Sequence, residues 1–121
     1  MRTIGIVPGA RLFESDDLYA DHYLFVNGYP KRISENGGAP VGVLSSDGYV
    51  IARSLDICDA FVFCGGAKFY PYHFQVMEHA AQTGKPVLGI CLGMQMMNTY
   101  FIVVEEAARR GWKAPLRELF N

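Results

Sequence analysis

The stretch 84-GKPVLGICLGMQMMN-98 decides how this chain is read. A short apolar run over residues 86–90 leads to Cys91, set between Gly89 and Gly93, and a helical pattern follows. The spacing G-x-C-x-G is the cysteine form of a sharp strand–turn–helix elbow. Its demand is steric. The turn strains the backbone at the central residue. It also brings together the residues two before and two after it, where side chains would clash. The following helix aims its first amides and the positive end of its dipole at the sulfur. That setting favours thiolate, lowering a cysteine pKa from about 8.5 toward about 7 or below. On this reading Cys91 is a nucleophile and the Leu92 amide an oxyanion-hole donor. The spacing alone is equally met by a small apolar filler in a tight turn.

Outward from the elbow, strand and helix signals alternate. Residues 3–7 (TIGIV), 39–44 (APVGVL), 61–64 (FVFC) and 86–90 (PVLGI) read as four strands. Between them, residues 18–34 read as a helix broken at Gly28 and Pro30, ended by Asn36-Gly37-Gly38. Residues 48–58 read as a helix capped from Ser45-Ser46-Asp47, and residues 72–82 as one opened by Pro71 and ended by Gly84. Residues 93–110 form a long helical pattern with Met94, Met97, Phe101, Val104 and Ala108 on one face and Gly111 as left-handed cap. Met94, Met96 and Met97 read as core packing. The order predicts an α/β fold, a mostly parallel sheet with helices on both faces. Ligands bind such sheets at the C-terminal strand ends. Pro8-Gly9-Ala10, Gly65-Gly66-Ala67 and the Cys91 turn meet that edge, and Gly65-Gly66 is placed to supply a second oxyanion donor.

Composition bounds the rest. The 121 residues are 50% hydrophobic and 19% charged with a net charge of −1, which reads as one globular domain over residues 1–121. The longest basic pair, Arg109-Arg110, argues against a nucleic-acid groove or a polybasic membrane patch. No apolar run approaches the roughly 18 residues of a membrane span, and the N-terminus reads as a strand rather than a signal peptide. Three cysteines, Cys58, Cys64 and Cys91, with no C-x-x-C pair and no histidine cluster, argue against a disulfide framework or a metal site and predict reduced thiols in the cytoplasm.

The string KPVLGICLGMQ resembles the nucleophile segment of class I glutamine amidotransferases and their gamma-glutamyl hydrolase relatives, with Gln95 two residues after Gly93. ENGGAPVGVL is similar to that superfamily's turn into strand two, CDAFVFCGG to its strand three with the oxyanion-loop glycines, and YHFQVMEHAAQTGKPVLGIC to its helix leading into the elbow. The resemblance spans roughly residues 3–100. Gly-Gly-x-Pro and Met-Gln-x-x-Asn lean toward the gamma-glutamyl hydrolase branch. It implies a flavodoxin-like three-layer α/β/α fold, truncated here, and attack by Cys91 on a gamma-glutamyl amide. The oxyanion is then held by Leu92 and Gly66, and the substrate by Gly65 and Gln95. No cofactor or metal is implied.

The chain departs from the pattern in three places. Such enzymes are about twice as long, and their second half supplies a catalytic histidine and acidic partner in a His-x-Glu-like segment absent here. Of the three histidines, His22 and His79 fall in helical stretches and read as solvated or packed. His73 could approach the strand ends but lacks the motif. The loop AKFYPYHF carries Lys68 where relatives have a carboxylate. Residues 101–121 read as a longer amphipathic helix with Glu105-Glu106 and Arg109-Arg110 exposed, and Trp112, Leu116, Leu119 and Phe120 covering the sheet. The expectation is therefore a cysteine-nucleophile hydrolase domain that is either half of a longer or split enzyme or takes its missing dyad from another subunit, with a homodimer or partner subunit supplying the missing half and pairing the sheet edge left after four strands. A non-catalytic binding relative and a thiol-based stress protein are the alternatives.

Overall fold

The computed structural model describes residues 1–113 and Glu118. The chain runs β1 (Arg2–Val7), β2 (Gly9–Arg11), a 3₁₀ turn (Leu18–Ala20), β3 (His22–Leu24), α1 (Gly28–Glu35), β4 (Gly38–Gly42), α2 (Ala52–Asp56), β5 (Ala60–Phe63), α3 (Pro71–Thr83), β6 (Val87–Gly89) and α4 (Leu92–Arg110). Four strands form a parallel sheet in the order β4-β1-β5-β6, while β2 and β3 pair antiparallel as a separate ribbon. Numbered among themselves, the sheet strands lie 2-1-3-4, the flavodoxin-like winding. Chain order reverses between β1 and β5, which puts the ligand crevice beyond their C-terminal ends.

Side chains alternate across the sheet. On one face Gly5, Val7, Phe61, Phe63, Val87 and Gly89 stand in register beneath α3 and α4. Val7 and Phe63 are fully buried there, among Tyr72, Val76 and Met96. On the other face α1 lies over β4 and β1, with Ile33 against Gly38 and Ile4. The three-layer arrangement expected from the sequence is present. The α1 layer, however, covers only half its face. Leu88, mid-strand in β6, is 58% exposed, and together with Val26, Tyr29, Ile33, Val62 and Ile90 it lines an open apolar groove of about 430 Å³.

Four local expectations are corrected. Residues 18–34 are not one broken helix: a 3₁₀ turn and β3 come first, and α1 begins at Gly28. Pro30 falls in its first turn, where the missing N–H has no helical acceptor to lose. The helix expected over residues 48–58 shrinks to α2, with Ile51 as N-cap. Asp47 and Gly48 both take positive φ, and Ser46 and Tyr49 exchange backbone hydrogen bonds across them at 2.7 and 3.1 Å. Asp-Gly is a strong signal for such a two-residue turn and outweighs the capping reading. His22 lies in β3, not in a helix.

The inward stripe of α4 is also rotated from the expected one. It runs through Gly93, Met96, Met97, Tyr100, Val104 and Ala107, leaving Met94 and Phe101 mostly exposed. Close docking of Gly93 on Phe63 sets this phase. Met96 and Met97 pack in the core as expected; Met94 does not. Glu106 pairs with Arg109 and Arg110 on the solvent face. Trp112 is half exposed under the Arg110 guanidinium rather than packed on the sheet. Leu116, Leu119 and Phe120 lie outside the described residues.

Candidate active site

Cys91 sits between the end of β6 and the first residue of α4 with φ 55° and ψ −108°. A non-glycine residue held there stores about 1–3 kcal/mol, which the surrounding packing must maintain. Both flanking glycines are required by contact. A Cβ on Gly89 would stand 2.8 Å from Gly93 C and from Met94 N, and a Cβ on Gly93 would stand 2.5 Å from Phe63 O. Ile90 N–H donates to Phe63 O at 3.0 Å and Gly93 N–H to Ile90 O at 3.0 Å, pinning the bend to β5. Cys91 is exposed, whereas Cys58 and Cys64 are buried. The exposed residue does not fill core space. Burial pushes the Cys64 thiol up to about 11 and also raises that of Cys58.

The predicted site residues converge. A Cβ on Gly65 would lie 3.7 Å from Cys91 Cβ, and one on Gly66 would lie 3.1 Å from Leu92 Cδ2. Leu92 opens α4, where the first backbone N–H groups have no intrahelical acceptor. Gln95 is exposed one turn along α4, its own N–H donating to Cys91 O at 3.1 Å. The β1–β2 loop closes on the same place: a Cβ on Gly9 would meet Gly65 O at 3.2 Å.

Sequence reasoning missed what holds that loop. Tyr72 Oη donates to Pro8 O at 2.5 Å, and His73 Nε2 also bonds Pro8 O, at 3.1 Å. Because a carbonyl only accepts, Nε2 carries the proton, and Nδ1 accepts the Tyr70 N–H at 2.9 Å. Both ring nitrogens are engaged, and His73 is 4% exposed. Burial lowers its pKa to about 4, against weaker upward pulls from the two backbone bonds. His73 approaches the strand ends as expected, but as a neutral clamp with no lone pair to spare. His79 accepts from Lys85 Nζ at 2.9 Å and meets the Phe61 ring edge; burial first, then Lys85, lowers its pKa. The Tyr72-His73 pair carried no motif. Only its position, at the opening of a helix facing β1, reveals the role.

Comparison with known proteins agrees with this geometry. The family model described as Glutamine amidotransferase class-I matches residues 32–119. The imidazole glycerol phosphate synthase subunit HisH of Ruegeria pomeroyi is 30% identical over 112 residues, covering 84% of this chain and 49% of that protein. The subunit of the same name from Gloeothece citriformis is 35% identical over 85 residues, covering 64% of this chain and 36% of that protein. The chain thus spans half or less of the length of these relatives. The family match supports the superfamily and does not single out its gamma-glutamyl hydrolase branch. By the extent of the family match and by the elbow geometry, this chain belongs to the class I glutamine amidotransferases.

Proposed function

We propose that this chain is the nucleophile-bearing part of an enzyme that hydrolyses the side-chain amide of glutamine or a related gamma-glutamyl amide. The Cys91 sulfur attacks the amide carbon, and the carbonyl electron pair moves to oxygen. The Leu92 and Gly66 amides hold that oxyanion, each worth about 2.7–4 kcal/mol in the transition state. Collapse expels ammonia or amine, which takes up a proton, and leaves a thioester on Cys91. Water then attacks the thioester, releasing the gamma-carboxylate and restoring the thiol. Gly65 and Gln95 contact the substrate. The observation that carries this reading is an exposed cysteine in a strained elbow beside a glycine loop.

The leaving amine needs a general acid, a contribution of about 10²–10⁴-fold. His73 is committed to Pro8 and Tyr70 and His79 to Lys85, while His22 stands exposed on the β2–β3 ribbon with Nδ1 bonded to Ala20 O. We propose that the acid–base pair comes from a further polypeptide segment, and that it docks along the open edge of β6 and the groove around Leu88. Three observations favour such a segment over a second copy of this chain. The groove is apolar, the relatives are about twice as long, and a second copy would bring only the same three histidines.

The test measures ammonia release from glutamine, and amine release from a gamma-glutamyl amide, for the protein in its native assembly. Wild type is compared with Cys91→Ala. Turnover confined to wild type is expected. Equal rates for the two would sink the reading.

A further inference from the structure

The Gly65-Gly66 loop is held between two neighbours. One is the elbow, which meets it through Cys91 and Leu92. The other is Gly9, just past the end of β1. A Cβ on Gly9 would lie 3.2 Å from Gly65 O and 3.5 Å from Gly66 Cα, and one on Gly66 would lie 3.5 Å from Gly9 Cα. The two backbones therefore pass with little room for a side chain between them.

Where Gly9 stands is set by Pro8. Its carbonyl accepts from Tyr72 Oη at 2.5 Å and from His73 Nε2 at 3.1 Å, which uses both lone pairs. Both donors are rigid. Tyr72 is fully buried, His73 is 4% exposed, and their rings stack with centroids 4.1 Å apart. His73 Nδ1 is tied in turn to the Tyr70 N–H. Both belong to the first turn of α3, which packs on β5, so the clamp fixes Pro8 relative to the sheet. Leu12, farther along, is held separately: its N–H donates to Tyr70 Oη at 2.9 Å.

We propose that Tyr72 and His73 are positioning residues for the oxyanion site: by fixing Pro8 they hold Gly9 against Gly65-Gly66 and keep the Gly66 amide at the elbow. The proposal rests on the chemistry assigned above to Cys91 and Gly66. Neither side chain touches the substrate. The loop is two glycines with no side chain of their own to anchor them, so its place depends on what backs it. A misplacement of about 1 Å in a catalytic site costs up to about 10²-fold. The loss falls on the step that forms an oxyanion. The sulfur's own nucleophilicity, set by the elbow and the start of α4, is untouched.

The experiment compares two reagents on the full chain. With p-nitrophenyl acetate the sulfur attacks the carbonyl carbon and the electron pair moves to oxygen. Collapse expels p-nitrophenolate and leaves a thioester, and this stable anion needs no general acid. Iodoacetamide alkylates the same sulfur by displacing iodide, with no oxyanion. Mass spectrometry follows both at Cys91, Cys58 and Cys64 being buried. Tyr72→Phe and His73→Leu are expected to slow acylation by about tenfold or more while alkylation stays within about twofold. His73→Gln keeps a donor for Pro8 O and should recover most of the rate. Gly9→Ala, with its methyl 3.2 Å from Gly65 O, should slow acylation while leaving the clamp intact. Tyr70→Phe is the control: it breaks the Leu12 bond in the same buried cluster, and its ratio of acylation to alkylation should match wild type. An unchanged ratio in Tyr72→Phe and His73→Leu, or an equal fall in Tyr70→Phe, overturns the proposal and leaves the chemistry of Cys91 standing. A wild-type Cys91 that the ester does not acylate would defeat that chemistry, and the positioning role with it.

Discussion

Gly93→Ala tests the elbow most directly. The new methyl would stand 2.5 Å from Phe63 O and 2.7 Å from Phe63 Cβ, where ordinary contact begins near 3.4 Å. Neither neighbour can swing aside. Phe63 is fully buried in β5, in register between Val7 and Gly89, and its carbonyl is held by the Ile90 N–H. Relief requires moving α4 off the sheet. Overpacking of this kind costs about 1–3 kcal/mol, and rigid backbone on one side puts it at the upper end. Alanine returns up to about 1 kcal/mol of helix propensity, so the net loss is about 2 kcal/mol. With a urea slope of about 2 kcal/mol per molar, the unfolding midpoint followed by circular dichroism falls by about 1 M. Gly28→Ala is the control. Gly28 also lies in a helix, with nothing within 4 Å of an added Cβ, and its midpoint should hold or rise slightly. If Gly93→Ala unfolds within about 0.2 M of wild type while m is unchanged, the close docking of α4 on β5 is wrong.

Three further predictions follow from the clamp and the groove. His73 is held neutral, with a folded pKa of about 4 below the unfolded 6.5, so the unfolded state binds its proton first as pH falls. Its stabilisation is complete above pH 6.5 and is lost between 6.5 and 4, by about 3 kcal/mol in all; His73→Gln should flatten that part of a midpoint-versus-pH profile relative to wild type. Tyr72→Phe removes the shorter of two hydrogen bonds to Pro8 O and should cost about 1 kcal/mol by urea denaturation, and an unchanged midpoint would show that His73 holds the loop alone. Leu88→Asn should change stability by less than about 0.5 kcal/mol, because its side chain is already largely in water, and should weaken co-purification of a native partner; a large stability loss would mean that the groove is covered within this chain.

Much of this was legible in residues 84–98. The G-x-C-x-G spacing is a local steric code, and the structure meets it with the positive φ of Cys91 and the contacts at Gly89 and Gly93. The four sheet strands were equally legible, since short apolar runs bounded by glycine and proline carry their own punctuation. Strand β3 was not legible. His22–Leu24 is too short to show a period, and it forms only because Tyr23 reaches Tyr72 and Ser45. Nor was the phase of α4, which contact with Phe63 chose over the stripe of larger side chains.

Sequence by itself therefore determined the parallel α/β class, the elbow cysteine and the loops at the strand ends, because each depends on neighbours a few residues apart. Tertiary structure alone decided that His73 is a clamp and no base, and that the described residues leave half of one sheet face uncovered. Those outcomes depend on which surfaces meet across long chain separations, and burial and hydrogen-bond partners, set only there, control what a titratable side chain can do.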